Sequence, residues 1–153
     1  MVKVNENNFP IIIYACLPYQ KYISLEKNVK DSKKIKALEG VLDILNEKYS
    51  PPNPEKTLYT FTFMVKKEYQ NSGLSSFLYL DIMKKAIEGG YEMLVGDALN
   101  KMSVKAGERM GNFPVAEVFY RSYREEDGTQ PFLKMTPSKV VRMVKIFQKP
   151  KQE

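Results

Sequence analysis

Hydrophobic and polar positions alternate along this chain in blocks of two kinds, and the change of period from block to block outlines the fold. Residues 9–17 form a nearly unbroken apolar run, Phe9 to Leu17, of the length and β-branched content of a buried strand. Residues 19–26 read as its hairpin partner. From residue 32 the period lengthens: Ile35, Leu38, Leu42, Leu45 and Tyr49 follow helical steps of three, four and seven residues, with Asp31 or Ser32 available as N-cap. The proline-rich segment 50–55 ends that helix. Residues 58–65 return to a two-residue period, with Tyr59, Phe61, Phe63 and Val65 on one face. Residues 74–88 are amphipathic with helical spacing and stop at Gly89-Gly90. A short strand over 91–95, a helix over 103–110, a strand over 115–123, a turn at Asp127-Gly128 and a last strand over 140–147 complete the order. Strands and helices in this succession predict a mixed α/β sheet, α+β in type, in one domain spanning residues 1–153.

Composition narrows the function. With 43% hydrophobic and 27% charged residues the chain reads as globular. A net charge of +6 favours an anionic partner. The basic residues are spread along helices and tails, which makes nucleic acid an unfavoured one. There is no histidine, which removes the commonest zinc ligand and the usual general base and predicts no metal site. The single cysteine, Cys16, excludes an internal disulfide and points to a reducing, cytoplasmic setting. Its apolar surroundings fit a buried thiol better than a nucleophile. The same run is too short to span a membrane.

The most informative segment joins the aromatic strand to the long helix: Val65, Lys66, Lys67, Glu68, Tyr69, Gln70, Asn71, Ser72, Gly73, Leu74, Ser75, Ser76. A glycine-bearing loop that opens a helix presents free backbone amides at the positive end of the helix dipole, an arrangement that suits phosphate. A plain turn with a glycine explains the same residues.

Strand end, Gln70-x-x-Gly73-x-Ser75, long helix, Gly89-Gly90-Tyr91, short strand, short helix and Met110-Gly111 together resemble the GNAT superfamily of N-acetyltransferases. Their loop carries Arg or Gln, two residues, Gly, one residue, then Gly or Ala; here Ser75 takes the last place. Toward the end, Val118-Phe119-Tyr120-Arg121-Ser122-Tyr123, Asp127-Gly128 and the run Pro137 to Lys145 are similar to the closing strands of the arylalkylamine (dopamine-type) branch. Ser138 stands where that branch has a histidine.

The resemblance implies a mostly antiparallel GNAT-like sheet, shortened by the family's first strand and opening helices. It also implies acetyl-CoA as cofactor, with Phe63, Met64 and Val65 along the pantetheine and the amides of Gln70, Asn71, Ser72, Gly73, Leu74 and Ser75 around the pyrophosphate. A small primary amine would be the acceptor. Ser103 matches one of the branch's serines beside the thioester, but it is equally suited to cap its helix. Leu99 replaces the second serine, and Gly107 falls where many relatives carry an acidic tyrosine. Three readings stay open: an N-acetyltransferase for an arylalkylamine-like amine, a catalytically weakened CoA-binding protein, and a basic interaction module of the same fold. An absent first strand would leave residues 9–17 as an apolar sheet edge, for which a homodimer is expected.

Overall fold

A computed structural model describes residues 2–4, 10–21, 33–135 and 138–147, with backbone alone for 2–4, 10–15, 33–34 and 61–64. One six-stranded sheet organises them. Its strands are β1 (Val2–Val4), β2 (Pro10–Pro18), β3 (Thr57–Val65), β4 (Met93–Ala98), β5 (Phe113–Phe119) and β6 (Lys139–Ile146). They lie in the order β1-β2-β3-β4-β6-β5. Every neighbouring pair is antiparallel except β3 and β4, which are parallel and joined through a helix. The helices are α1 (Lys33–Lys48), α2 (Leu74–Glu88) and α3 (Lys101–Arg109).

Side chains alternate across the sheet, so each face receives its own helices. On one face Val41 and Leu45 of α1 pack with Val118, Tyr120 and Val140, and Tyr19, Tyr59, Val95 and Val144 continue that layer. On the other, Tyr79, Met83 and Ala86 of α2 cover Leu58, Leu94 and Phe147, while Val104 of α3 covers Ala98, Val141 and Met143. Each large aliphatic side chain so buried stabilises the fold by about 1.5–3 kcal/mol.

The buried stripe of α1 runs through Ala37, Val41 and Leu45, whereas Ile35 stays 41% exposed. The helix is therefore rotated relative to the stripe expected from Ile35, Leu38 and Leu42. Its rotation is explained by Gly40. A Cβ there would lie 2.0 Å from the Tyr123 hydroxyl oxygen, so the tyrosine ring sits directly on the helix backbone. Replacing Gly40 by alanine should destabilise the fold by about 1–3 kcal/mol through overpacking, although alanine is the better helix former. Denaturant melts check this, and Gly40→Ala/Tyr123→Phe should recover part of the loss.

Four expectations are corrected. Residues 19–21 are helical rather than the second strand of a hairpin: the ladder of β2 ends at Pro18↔Leu58, and Tyr19 turns inward to 1% exposure, edge-on to Tyr59; residues 22–26 lie outside the described residues, as do Phe9, Asp31, Ser32 and Pro137. The expected bare edge at residues 9–17 is partly covered, since β1 pairs Val2 with Ile12 and Val4 with Pro10. The fourth strand begins at Met93 and runs on to Ala98, past the apolar stretch, because Asp97 is buried against a partner on β6. The strand expected over 115–123 starts at Phe113 and gives way to a tight 3-10 turn at Tyr120–Ser122, which frees Tyr123 to reach α1.

Candidate functional site

The carboxyl ends of the two parallel strands do not stay together. β3 and β4 pair from Thr57↔Met93 to Thr60↔Gly96, yet β3 continues to Val65 and β4 to Ala98. Beyond Thr60, β3 shifts register against β2, from Cys16↔Thr60 to Ala15↔Thr62, and then keeps that ladder on one edge to Ile12↔Val65. Its other edge diverges from β4. Gly96 sits at the last rung, where an added Cβ would come within 3.1 Å of the Thr60 Cβ. The result is a crevice whose β3 wall is the backbone of residues 61–65, including Phe63, Met64 and Val65.

At the mouth of that crevice the chain makes a 3-10 turn at Lys67–Tyr69, bends through Asn71 at φ 63° and Gly73 at φ 80°, and enters α2. Gly73 is the helix N-cap and has no side chain to accept from the first amides. The first bond of the helix runs from the Phe77 amide to the Gly73 carbonyl at 3.1 Å. The amides of Leu74, Ser75 and Ser76 precede it and have no intrahelical acceptor. A Cβ at Gly73 would meet nothing within 4 Å, so the space beside this residue is open. Gln70 is arranged differently: its amide donates to the Lys67 carbonyl at 3.2 Å, and its side-chain Nε2 donates to the Val65 carbonyl at 3.1 Å. Gln70 thus braces the loop against the end of β3 with both groups, while Ser72 Oγ donates to the Tyr69 carbonyl.

Ser103 lies across the crevice, in the first turn of α3. It is not the cap. Asn100 is, and its Oδ1 accepts from the Ser103 amide at 2.9 Å and from Ser103 Oγ at 3.2 Å. The helix begins two residues earlier than expected, at Lys101, because asparagine fills the cap position first. The structure therefore brings the loop 70–75, the β3 edge and the α3 start to one end of the sheet. Of the predicted residues, Ser103 has its hydroxyl engaged, and the side chains of Phe63 and Met64 are not described.

Other candidates for proton transfer are also engaged. Glu68 is exposed and paired with Lys66 at 2.9 Å, whose hydrogen bond holds the carboxyl below its ordinary range. Tyr120 is buried and donates to the Leu99 carbonyl at 3.2 Å. Tyr79 is buried and donates to Asn112 Oδ1 at 3.1 Å. Burial pushes both phenols above the ordinary tyrosine value, with Asp97 adding to the effect at Tyr120. Since the folded state holds these protons more tightly than the unfolded chain, the stability they contribute is complete below about pH 10 and lost as pH climbs through the raised values. Thermal melts from about pH 8 to pH 11 should show the midpoint falling above about pH 10, alongside a late phenolate absorbance titration.

One functional-looking cluster escaped the sequence reading. Arg142 is fully buried and forms a bidentate pair with Asp97, Nε to Oδ1 and Nη2 to Oδ2, both at 2.8 Å. Its Nη1 donates to Asn46 Oδ1 at 2.8 Å and to the Tyr49 carbonyl at 2.9 Å. Tyr59 donates its hydroxyl proton to Asp97 Oδ2 at 2.8 Å. Burial disfavours the charge on Arg142, but hydrogen bonding and attraction from Asp97 outweigh it, so its pKa rises. The signal was a charged residue at an inward position of each strand, Asp97 after Leu-Val-Gly and Arg142 between Val-Val and Met-Val.

Comparison with known proteins identifies the architecture. No family model matches the sequence, and no curated protein does either. Among solved structures, a mosquito arylalkylamine N-acetyltransferase-like protein, 5b, aligns with TM-score 0.70 at 20% identity over 89% of this chain and 67% of its own. Arylalkylamine N-acetyltransferase 2 from Aedes aegypti aligns with TM-score 0.68 at 20% identity over 90% of this chain and 65% of its own. The C-terminal condensation domain of Ebony, solved with β-alanyl-dopamine, aligns with TM-score 0.69 at 12% identity over 92% and 68% of the two chains. The chain has the GNAT acetyltransferase fold, a mixed and mostly antiparallel sheet flanked by helices, and spans about two thirds of the length of these relatives. No helix among the described residues is long and apolar enough to cross a membrane.

Proposed function

We propose that this chain binds acetyl-CoA and transfers its acetyl group to a small primary amine of the arylalkylamine type. The observation that carries the reading is the parting of β3 and β4 after Thr60↔Gly96 beside the uncapped start of α2. The residues present fit the group. An extended β3 edge can pair with the amide-bearing pantetheine as another strand would, and the Leu74, Ser75 and Ser76 amides with Gly73 in front of them can take the pyrophosphate. Asn71 and Ser72 complete that cradle, and Gln70 shapes it from behind. When bound, the thioester supplies an activated acyl group. The chain's own part is to align it with an incoming amine and keep water away.

The acceptor's place is the same end of the sheet, where Leu99, Met102 and Phe119 are exposed beside α3 and the end of β5. Apolar side chains around a small opening suit an aromatic or alkyl amine, the acceptor class named for the two mosquito relatives. Half-buried Cys16 as the single thiol fits a cytoplasmic setting. A second reading, CoA binding with weak turnover, is favoured by Ser103 being tied to Asn100 and by glycine at position 107 of α3.

Thiol release from acetyl-CoA in the presence of tryptamine, dopamine or agmatine separates these readings. Amine-dependent release supports the transferase. CoA-dependent thermal stabilisation without release supports the second, and a ligand at 100 times its Kd should add about 2.7 kcal/mol. Neither response would leave only the fold.

A further inference from the structure

The parting coincides with an irregularity on β3, whose ladder with β2 shifts register between Cys16↔Thr60 and Ala15↔Thr62, just past the last rung with β4; the β4 wall beyond that point is held by contacts of its own. The next residue of β4 is Asp97, which lies directly cross-strand from Arg142 of β6. Arg142 donates two hydrogen bonds to the Asp97 carboxylate and two more into α1 and its end, at Asn46 and Tyr49. The first residue beyond the split is thereby fastened to β6 and, through the guanidinium, to α1. Its tie to β3 comes from Tyr59, which pairs with Val95 one rung below the split. Two residues farther along, the Leu99 carbonyl accepts from Tyr120, again on the β5–β6 side. Both anchors hold this end of β4 on the β5–β6 side.

We propose that the Asp97–Arg142 pair is a positioning device that sets the width of the crevice between β3 and β4; as a statement about ligand binding, this rests on the CoA reading above. The carboxylate is 2% exposed and already accepts from Arg142 and Tyr59, which closes it to an ammonium acceptor arriving from solvent. Nor is stability a sufficient reason for the pair. A buried ion pair generally holds a fold no better than apolar residues of the same volume, because desolvation offsets the attraction. What the pair adds is a fixed planar geometry, with the fork of the guanidinium locked in register on the carboxylate.

The test compares the wild-type chain with Asp97→Leu/Arg142→Met, Arg142→Lys and, as a control for stability alone, Leu45→Ala. Each is melted without ligand and titrated with CoA by calorimetry, and any transferase activity is resolved into kcat and KM. The apolar pair is expected to melt close to wild type and yet bind CoA at least tenfold more weakly, with KM for acetyl-CoA raised more than kcat is lowered. Arg142→Lys keeps the charge but loses the fork, and should lose affinity beyond what Leu45→Ala loses at equal or lower stability. Should the apolar pair fail to fold, that second comparison decides. Unchanged CoA affinity in the folded variants overturns the positioning role and leaves the CoA reading standing. Absence of binding by the wild-type chain overturns the CoA reading and this proposal with it.

Discussion

Arg142→Met is expected to cost about 3–5 kcal/mol of folding stability, the largest loss from any single substitution considered. Removal of the guanidinium leaves the Asp97 carboxylate 2% exposed and without its cation, with Tyr59 as its remaining hydrogen-bond donor among the bonds described. It also strips Asn46 and the Tyr49 carbonyl of a shared donor, so β4, β6 and α1 loosen together. A domain of ordinary stability holds about 5–15 kcal/mol, and each kcal/mol lowers the melting midpoint by about 2–4 °C at this chain length. Thermal or urea melts should therefore show a drop of about 6–20 °C, most of it restored when Asp97 is replaced by leucine in the same chain. A midpoint unmoved by Arg142→Met would mean that the pair is not buried as described.

Gly73→Glu carries the second large effect, on ligand rather than fold. The site of the substitution is open at its Cβ, and as the N-cap it puts the carboxylate at the start of the helix that Leu74, Ser75 and Ser76 open. A positive φ of 80° strains any side chain there, which is why Gly73→Gln is the proper comparison. Glutamine and glutamate share the strain and differ in charge. A negative charge facing a diphosphate is expected to lower CoA affinity at least tenfold relative to the glutamine variant, about 1.4 kcal/mol. Calorimetric titration of both variants checks it. Equal affinity would remove this loop from the binding site.

Much of this was legible from residue order because local rules agreed with the fold. The bounds of α2 follow from Gly73 before it and Gly89-Gly90 after it, and both ends are where spacing and glycine chemistry place them. β3 announced itself by its two-residue period. The loop and the helix start it leads into were readable because they are contiguous with the strand end, all within a dozen residues. Other features depend on partners distant in sequence. Nothing local reveals that Tyr19 turns inward against Tyr59, 40 residues on, so its apolar neighbours read as a strand. Asp97 and Arg142 meet only because β4 and β6 are antiparallel neighbours with those two residues in register. Ser103 illustrates a finer limit. Asn100 and Ser103 are both good caps, and the choice between them depended on where Asp97 allowed β4 to end.

The division of labour that emerges is between an open wall and a braced one. β3 offers its backbone edge and the α2 amides, which need no particular side chains. β4 is held in place by charged and aromatic groups from β6, α1 and the turn after β5. The fold is shared with the mosquito proteins at 20% identity.

The most direct test of the central claim is an amide NMR titration of the intact chain with CoA. Shifts should concentrate in residues 61–65 of β3 and 71–76 at the start of α2, with smaller changes at 97–103. Saturating CoA that leaves those amides unmoved, or moves only residues elsewhere on the sheet, would contradict it.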